Sequence, residues 1–531
     1  MGGIAAIVGA SANRARFDRM RRAIAGRGEV EESSQAPGVL ASTRTAAGDH
    51  EDTTRTWQSM DGEWIACLDG TIYNGAELGD ELREGGHPLR DGDSLEVVVA
   101  AFFCWGGAGL ARLRGDFALM IIEVSTGRAY LGRDPVGIRP LYWSWADGCL
   151  HVGSEVKSLV PTGTAIHEIP PGHHAWAEPG RIPQAKPYVD LFHTEDGTPV
   201  TDVDRASALL RAALEESVLA RCDTQAQVGV VLSGGLDSSL VLALVRRSHP
   251  DCVAFTIGSP DSEDVRYARR LTADLGVRHE VIDVVPERIS RHDVRTAIRM
   301  SECTEYGDVI NAVVSVPLFA RMRRAGIDIA IAGDGSDELF GGYAMYDEVP
   351  PEAARRLFEH KIRNLSRTEL QRVDRTGTGQ GVEVRVPFLD PALIALATRI
   401  PMGLKVHDGR EKWILRHAFA DLLPDYVLDR PKNPMSHSSG LHERARLHKP
   451  WFARHYRNAG YEALGPLRRD FSVVLGQEGH DLDRALAAIS ARPDHTAAEH
   501  ARDLLGAVRW NAVSAARTAQ RVVRVSTSRT G

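Results

Sequence analysis

The chain has 531 residues, 64 basic and 71 acidic, for a formal net charge of −7; it is too long for one ordinary core, which implies two to four domains. Its 43% hydrophobic and 25% charged residues are ordinary for a globular protein, and no basic run suits nucleic acid. No stretch nears the ~18 apolar residues that cross a bilayer, the N-terminal apolar run lacks a basic region before it, and a cytoplasmic protein is expected.

From residue 1 to about 180, short apolar runs alternate with Gly- and Asp-rich turns: GGIAAIVGA, EWIACLDG, DFALMIIEV, AYLGRD, LYWSW and CLHVGS. This pattern predicts antiparallel sheets, with helices such as Ser94 to Phe103 between strands. Residues Pro179 to Thr201, rich in Pro, Asp and Thr, read as a connector. From about 201 the order becomes strand, loop, helix: QVGVVL, SGG and LDSSLVLALVRR, then CVAFTI, DVRYARRLTADLG and HEVIDV, and later IDIAIA leading into GDGSDELFGGY. Such alternation predicts a parallel sheet with helices on both faces, where ligands bind at the carboxyl ends of the strands. Beyond about 350 the chain reads as mostly helical, and Thr496 to about Val525 as an amphipathic helix packed on the domain. The six cysteines, Cys67, Cys104, Cys149, Cys222, Cys252 and Cys303, contain no CxxC pair, so neither a disulfide framework nor a zinc site is indicated.

The strongest local signal is Leu232-Ser233-Gly234-Gly235-Leu236-Asp237-Ser238-Ser239. Glycines admit close approach of a ligand to the backbone, and the following helix offers free N–H groups to phosphate. Ser233, Ser238 and Ser239 would add hydroxyl donors. Asp237 would repel phosphate by itself and makes sense as a ligand of Mg2+ bridging the phosphates. The lysine-bearing P-loop is absent here; SGGxDS resembles instead the pyrophosphate loop of the ATP pyrophosphatases. A second motif, Gly333-Asp334-Gly335-Ser336-Asp337-Glu338, puts three acids into five residues after an apolar strand. Like charges so close need a cation or a donor-rich partner, and Mg2+–ATP shared with Asp237 would serve.

These loops, with SVPLF (315–319), GVEVRVPFLD (381–390), GREKWILR (409–416) and Arg430-Pro431-Lys432, stand in the order of the asparagine synthetase family, which the chain resembles over about residues 1–445. In the first half, Asp69-Gly70-Thr71-Ile72-Tyr73-Asn74, Arg114-Gly115-Asp116-Phe117-Ala118, Gly132-Arg133-Asp134-Pro135-Val136-Gly137 and Gly153-Ser154-Glu155-Val156-Lys157 are similar to the family's glutaminase domain. The resemblance implies an α/β protein in two parts. Residues 1–200 would form an Ntn-hydrolase-like αββα sandwich; residues 201–531 would form a doubly wound parallel-sheet ATP-pyrophosphatase domain with extra helices. It also implies the chemistry: a small-molecule carboxylate is adenylated by ATP, and an amine or ammonia then displaces AMP. By this carry-over Asp237 and Asp337 bind Mg2+. Leu232, Ile257 and Gly333 line the adenine pocket, with Ser233, Gly234, Gly235, Ser238, Ser239 and Lys412 around the phosphates. Lys432 stabilises phosphates and oxyanion, and Asp334 orients or deprotonates the amine. Arg385 reads equally well as a structural partner of Glu383 or Asp390. The acyl pocket would draw on Met300 to Val316 and the loop Asn433 to Gly440. Family members are often dimers, so a homodimer stays open.

The glutaminase half departs from the family pattern. Glutamine-dependent members have cysteine as their second residue, activated by its own α-amine; here it is Gly2. Asp69-Gly70-Thr71 stands where Asn-Gly-Glu is usual, and a carboxylate there repels a developing oxyanion. Ser94 occupies the position of the aspartate that binds the glutamine amine, while Arg44 matches the carboxylate-binding arginine. The expectation is a ligase that does not hydrolyse glutamine and works in a specialised biosynthetic pathway. An intramolecular cyclase of the β-lactam synthetase or lasso-peptide type, and a non-catalytic ATP-binding homologue, are the alternatives. β-Lactam synthetases carry Tyr where this chain has Asp334, and a non-catalytic homologue would be expected to lose one of Ser233, Asp237, Asp337 or Lys432.

Overall fold

The computed structural model describes residues 2–28, 30–45, 56–90, 92–192, 197–285, 288–303, 306–343, 346 and 351–432. All of them belong to one compact unit spanning Met1–Tyr461. The loop Asn433 to Gly440 and the helix expected from Thr496 to Val525 lie outside the described residues.

The first half is a sandwich of two antiparallel sheets. Its strands are β1 (Gly2–Val8), β2 (Val30–Ala36), β3 (Val39–Thr45), β4 (Thr56–Gln58), β5 (Trp64–Ile72), β6 (Gly115–Glu123), β7 (Arg128–Arg133), β8 (Tyr142–Ala146), β9 (Cys149–Gly153), β10 (His167–Glu168), β11 (His173–Ala177) and β12 (Lys186–Pro187). One sheet has the order β10-β8-β9-β1-β3-β2 and the other β12-β11-β7-β6-β5-β4. Alternation along β5 and β6 explains why these strands read as nearly continuous apolar runs. Ile65, Cys67, Ala118, Met120 and Ile122 face the core between the sheets. Ala66, Leu68, Phe117, Leu119 and Ile121 face the opposite way, toward the helices Gly75–Glu84 and Ser94–Trp105. A strand buried on both faces has no polar side to show. On the outer face of the first sheet the helix Arg14–Ala23 buries Phe17 and Met20. The layers are therefore helix, sheet, sheet, helix.

The second half holds a five-stranded parallel sheet of β13 (Val228–Val231), β14 (Val253–Ile257), β15 (Arg278–Ile282), β16 (Ile329–Ile331) and β17 (Glu383–Arg385), in the order β15-β14-β13-β16-β17. Chain order runs outward to one side of β13 and then returns to its other side, so the order in which strands are added reverses between β13 and β16 while all five stay parallel. In open parallel sheets that reversal opens a crevice at the carboxyl ends of the strands.

Two sequence expectations change. The segment Pro179 to Thr201 is not only a connector: β12 adds an edge strand to the sandwich through β11, and the Tyr188 hydroxyl donates to the Arg133 carbonyl at 2.7 Å. The stretch beyond 350 is mostly helical but contains β17, which completes the sheet beside β16.

Candidate active site

β13 leads through Leu232–Gly235 into the helix Leu236–Ser248, and β16 leads through Ala332–Gly335 into the helix Ser336–Phe340. The strands are neighbours, so both turns face one crevice. Gly234 has φ +71°, and a Cβ there would lie 2.8 Å from the Ala268 nitrogen and the Tyr267 Cβ; glycine is what lets the turn lie against the helix Glu263–Leu275. Inside the turn the Ser233 N–H donates to the Ser238 Oγ (3.1 Å) and the Gly235 N–H to the Ser233 Oγ (3.3 Å). Buried Arg430 fastens it from outside, donating to the Ser233 carbonyl at 3.2 Å and pairing with Asp264.

The three hydroxyls expected to face phosphate are placed differently from one another. Those of Ser233 and Ser238 lie 3.0 Å apart, whereas Ser239 is fully buried and its hydroxyl has no hydrogen-bond partner among the described residues. Leu232, Ile257 and Gly333 sit at the carboxyl ends of three adjacent strands, β13, β14 and β16. The Leu232 carbonyl accepts from the Thr256 Oγ1 at 2.7 Å, and Thr256 is in turn 2.8 Å from the His279 Nε2. Gly333 passes so close to the first loop that a Cβ would be 3.2 Å from the Asp237 Cβ.

The two acidic loops converge. The Ser336 hydroxyl donates to the Asp237 Oδ1 at 2.7 Å, joining one loop to the other. The ammonium of Lys412 pairs with the Asp237 Oδ2 and lies 2.5 Å from the Asp337 Oδ1. Lys432 pairs with the Asp337 Oδ2. Burial would raise the Asp337 carboxyl, but Lys412 and Lys432 outweigh it and hold it well below the usual carboxylate range. Burial likewise works against the Lys432 charge, yet Asp337, with Asp237 behind it, keeps this ammonium above the ordinary lysine value. A magnesium ion is held by one or two protein carboxylates, with waters and phosphate oxygens completing its shell. Asp237 and Asp337 supply that donor set, and no cluster of three or more His, Cys, Asp or Glu side chains exists among the described residues.

Around this pair lie Arg372, which sequence reasoning missed, and Glu338, the third acid of the second motif, to which it gave no role of its own. Arg372, on the helix Glu369–Thr378, donates to the Asp334 Oδ1 at 2.7 Å and to the Ser315 Oγ at 3.2 Å. Burial raises the Asp334 carboxyl, and Arg372 pulls against it without cancelling it. Glu338 is buried and accepts from the Tyr343 hydroxyl. Burial, aided by Glu369 and Asp337, pushes its carboxyl up to about 8. Arg372 lies outside the glycine turns, the only local signal strong enough to have marked it, whereas Glu338 stood inside the motif without a separate role. Arg385 takes its structural role: it donates to the Glu383 Oε1 at 3.0 Å and to the Arg221 carbonyl at 2.8 Å.

In the sandwich, Gly2 lies on β1 beside a buried carboxylate. A Cβ at Gly2 would be 3.0 Å from the Asp69 Oδ1, an oxygen with no hydrogen-bond partner among the described residues. The Asp69 Oδ2 accepts from the Ser154 Oγ (2.9 Å) and from Arg27 (3.2 Å). Asp93 caps the helix Ser94–Trp105 through the Glu96 N–H at 2.7 Å, and Arg44 donates to the Gly28 carbonyl at 3.0 Å.

A doubly wound sheet with two loops meeting at its point of reversal is a nucleotide-binding architecture. Comparison with known families narrows the class: the asparagine synthase profile matches residues 209–352 and 349–481, and a glutamine amidotransferase domain matches residues 1–177. Asparagine synthetase B [glutamine-hydrolyzing] of Escherichia coli (strain K12) is 32% identical over 432 residues, covering 76% of this chain and 75% of that protein. The asparagine synthetase [glutamine-hydrolyzing] of Sandersonia aurantiaca is 31% identical over 473 residues, covering 83% and 87%. A third such enzyme, from Oryza sativa subsp. japonica, is 31% identical over 429 residues, covering 76% and 70%. This chain belongs to the asparagine synthase family.

Proposed function

We propose that this chain is an ATP-dependent, AMP-forming amide ligase that joins a small carboxylic acid to ammonia or an amine without using glutamine. Family membership supports the coarse class, an ATP-dependent carbon–nitrogen ligase. The observation that carries the finer reading is the meeting of Asp237 and Asp337, from two loops, through Lys412. In this reading residues 201–531 form the ligase domain, and residues 1–200 are a glutaminase-like scaffold.

A carboxylate is a poor electrophile, and attack of its oxygen on the α-phosphorus of ATP gives an acyl-adenylate and pyrophosphate. An amine then attacks the acyl carbon, and AMP leaves. Magnesium, held by Asp237 and Asp337, would supply charge neutralisation on the phosphates. Leu232, Ile257 and Gly333 shape the nucleoside end of the crevice, and Ser233, Gly234, Gly235, Ser238 and Ser239 belong to the phosphate turn. Lys432, held charged by its acidic neighbours, stabilises the oxyanion of the tetrahedral intermediate, an effect typically worth ~3 kcal/mol. Asp334, fixed by Arg372, receives the amine proton or orients the amine.

The relatives are named for glutamine hydrolysis. What separates this chain from that activity is Gly2, which offers no nucleophile, with the buried Asp69 carboxylate beside it. A negative group there opposes both a thiolate and an oxyanion. Loss of the glutaminase step is in keeping with a role in specialised-metabolite biosynthesis.

The test is the product. With ATP, Mg2+ and a panel of acids, the matching acid should promote ATP–pyrophosphate exchange, and ammonium or an amine should yield the amide by mass. Glutamine alone should yield none; formation of amide from glutamine would overturn the reading.

A further inference from the structure

The nucleotide crevice holds an arrangement that pairing for stability does not require. Each of the two carboxylates has one oxygen engaged on its outer side, Asp237 by Ser336 and Asp337 by Lys432. The remaining oxygens, the Asp237 Oδ2 and the Asp337 Oδ1, both point to the one ammonium of Lys412, which is 2% exposed. An ion shared by the two loops would bind those same oxygens. The chain also accepts strain to deliver this ammonium. Lys412 has φ +56°, a conformation that disfavours a residue with a Cβ. Gly342 leaves the necessary space: a Cβ there would be 2.5 Å from the Lys412 Cε and would collide with the Asp337 Oδ1.

We propose that Lys412 is a displaceable counter-ion, which occupies the shared face of Asp237 and Asp337, excludes free divalent cations, and yields that face when the metal arrives with its nucleotide. The proposal rests on the ligase reading above and adds an order of binding to it. The charges give the reason. Two carboxylates with two lysines are already neutral, so a bare dication would bring uncompensated positive charge against two ammonium groups in a poorly solvated crevice, where repulsion is strong. A triphosphate brings several negative charges, which draw Lys412 off the carboxylates and repay the metal's entry. Free magnesium would then be a poor ligand of this site and its nucleotide complex a good one.

The experiment is a Mn2+ titration of the full chain without nucleotide, followed by the electron paramagnetic resonance signal of free Mn2+, on the wild type, Lys412→Gln and Lys412→Met. Thermal melts check that each variant is folded. The variants should bind one Mn2+ at least ~10-fold more tightly than the wild type, because one repelling charge has gone. Adding Asp337→Asn to Lys412→Gln should abolish that gain. Equal affinity in wild type and folded variants would overturn the proposal. The wild type alone also decides it if the variants do not fold: tight uptake of one Mn2+ without nucleotide refutes the counter-ion, and uptake only after a non-hydrolysable ATP analogue is added supports it. Failure to bind even the Mn2+–analogue complex would instead remove the nucleotide site, and with it the ligase reading itself.

Discussion

Lys432 reaches Asp337 from a partly exposed position, so its role can be tested without large cost to the fold. Lys432→Ala should lower amide formation ~10²–10³-fold, the range for losing a donor aimed at developing charge, with little change in melting temperature. Asp334→Asn should separate the two half-reactions: pyrophosphate exchange persists, and amide formation falls. Arg372→Met removes the cation that pulls the Asp334 carboxyl downward, so the acid limb of the amide-forming pH profile should move to higher pH. Glu338 gives a stability test. Its carboxyl is raised to about 8 by burial and by Glu369, so the fold keeps it protonated where the unfolded chain ionises it. That contribution is complete below the unfolded value and is lost as pH rises toward 8. Glu338→Gln should flatten the decline in melting temperature between about pH 5 and 8.

Elements were legible where their residues carried a repeating pattern or a glycine turn. β1, β5 and β6 announced themselves as apolar runs, and Gly234 and Gly333 marked where β13 and β16 hand over to helices. β2 did not: its sequence, VEESSQA, has no apolar run, and it is a strand because β3 supplies its hydrogen bonds. β17 is three residues long, too short for any period, and it exists because β16 has a free edge beside it. The two motif loops were readable; the helix Glu369–Thr378 that supports one of them was not, since its importance lies in partners distant in sequence. Arg372 on this helix holds Asp334, and two residues on, Asp374 accepts from Arg27 at 2.8 Å and Arg139 at 2.9 Å. Two residues are about 200° around a helix, so this one helix turns one side to the ligase crevice and the opposite side to the sandwich.

Across the whole molecule, the two halves meet through a network of buried ions. Arg27 bonds the Gly2 carbonyl at 2.5 Å, Glu155 at 3.0 Å, Asp69 and Asp374. Arg139 reaches Glu383 at 3.0 Å. Arg375 pairs with Glu302 at 2.7 Å, and Glu302 accepts from the Lys157 N–H at 2.7 Å, capping the helix Val156–Leu159. Removing one partner from such a network leaves a charge buried and unanswered, at a cost of roughly 3–5 kcal/mol. Arg27→Met should therefore lower the denaturation midpoint of the full chain far more than Lys432→Ala does. The network also bears on ancestry. On the proposed reading, a first half without glutamine hydrolysis would ordinarily be free to erode or be deleted. Here Arg27 and Arg139 answer carboxylates that belong to the other half, so loss of the first half would take both of these cations from Asp374 and would leave Glu383 with Arg385 but not Arg139. On that reading, retention of the first half would follow from electrostatic dependence, with no second activity required to explain it.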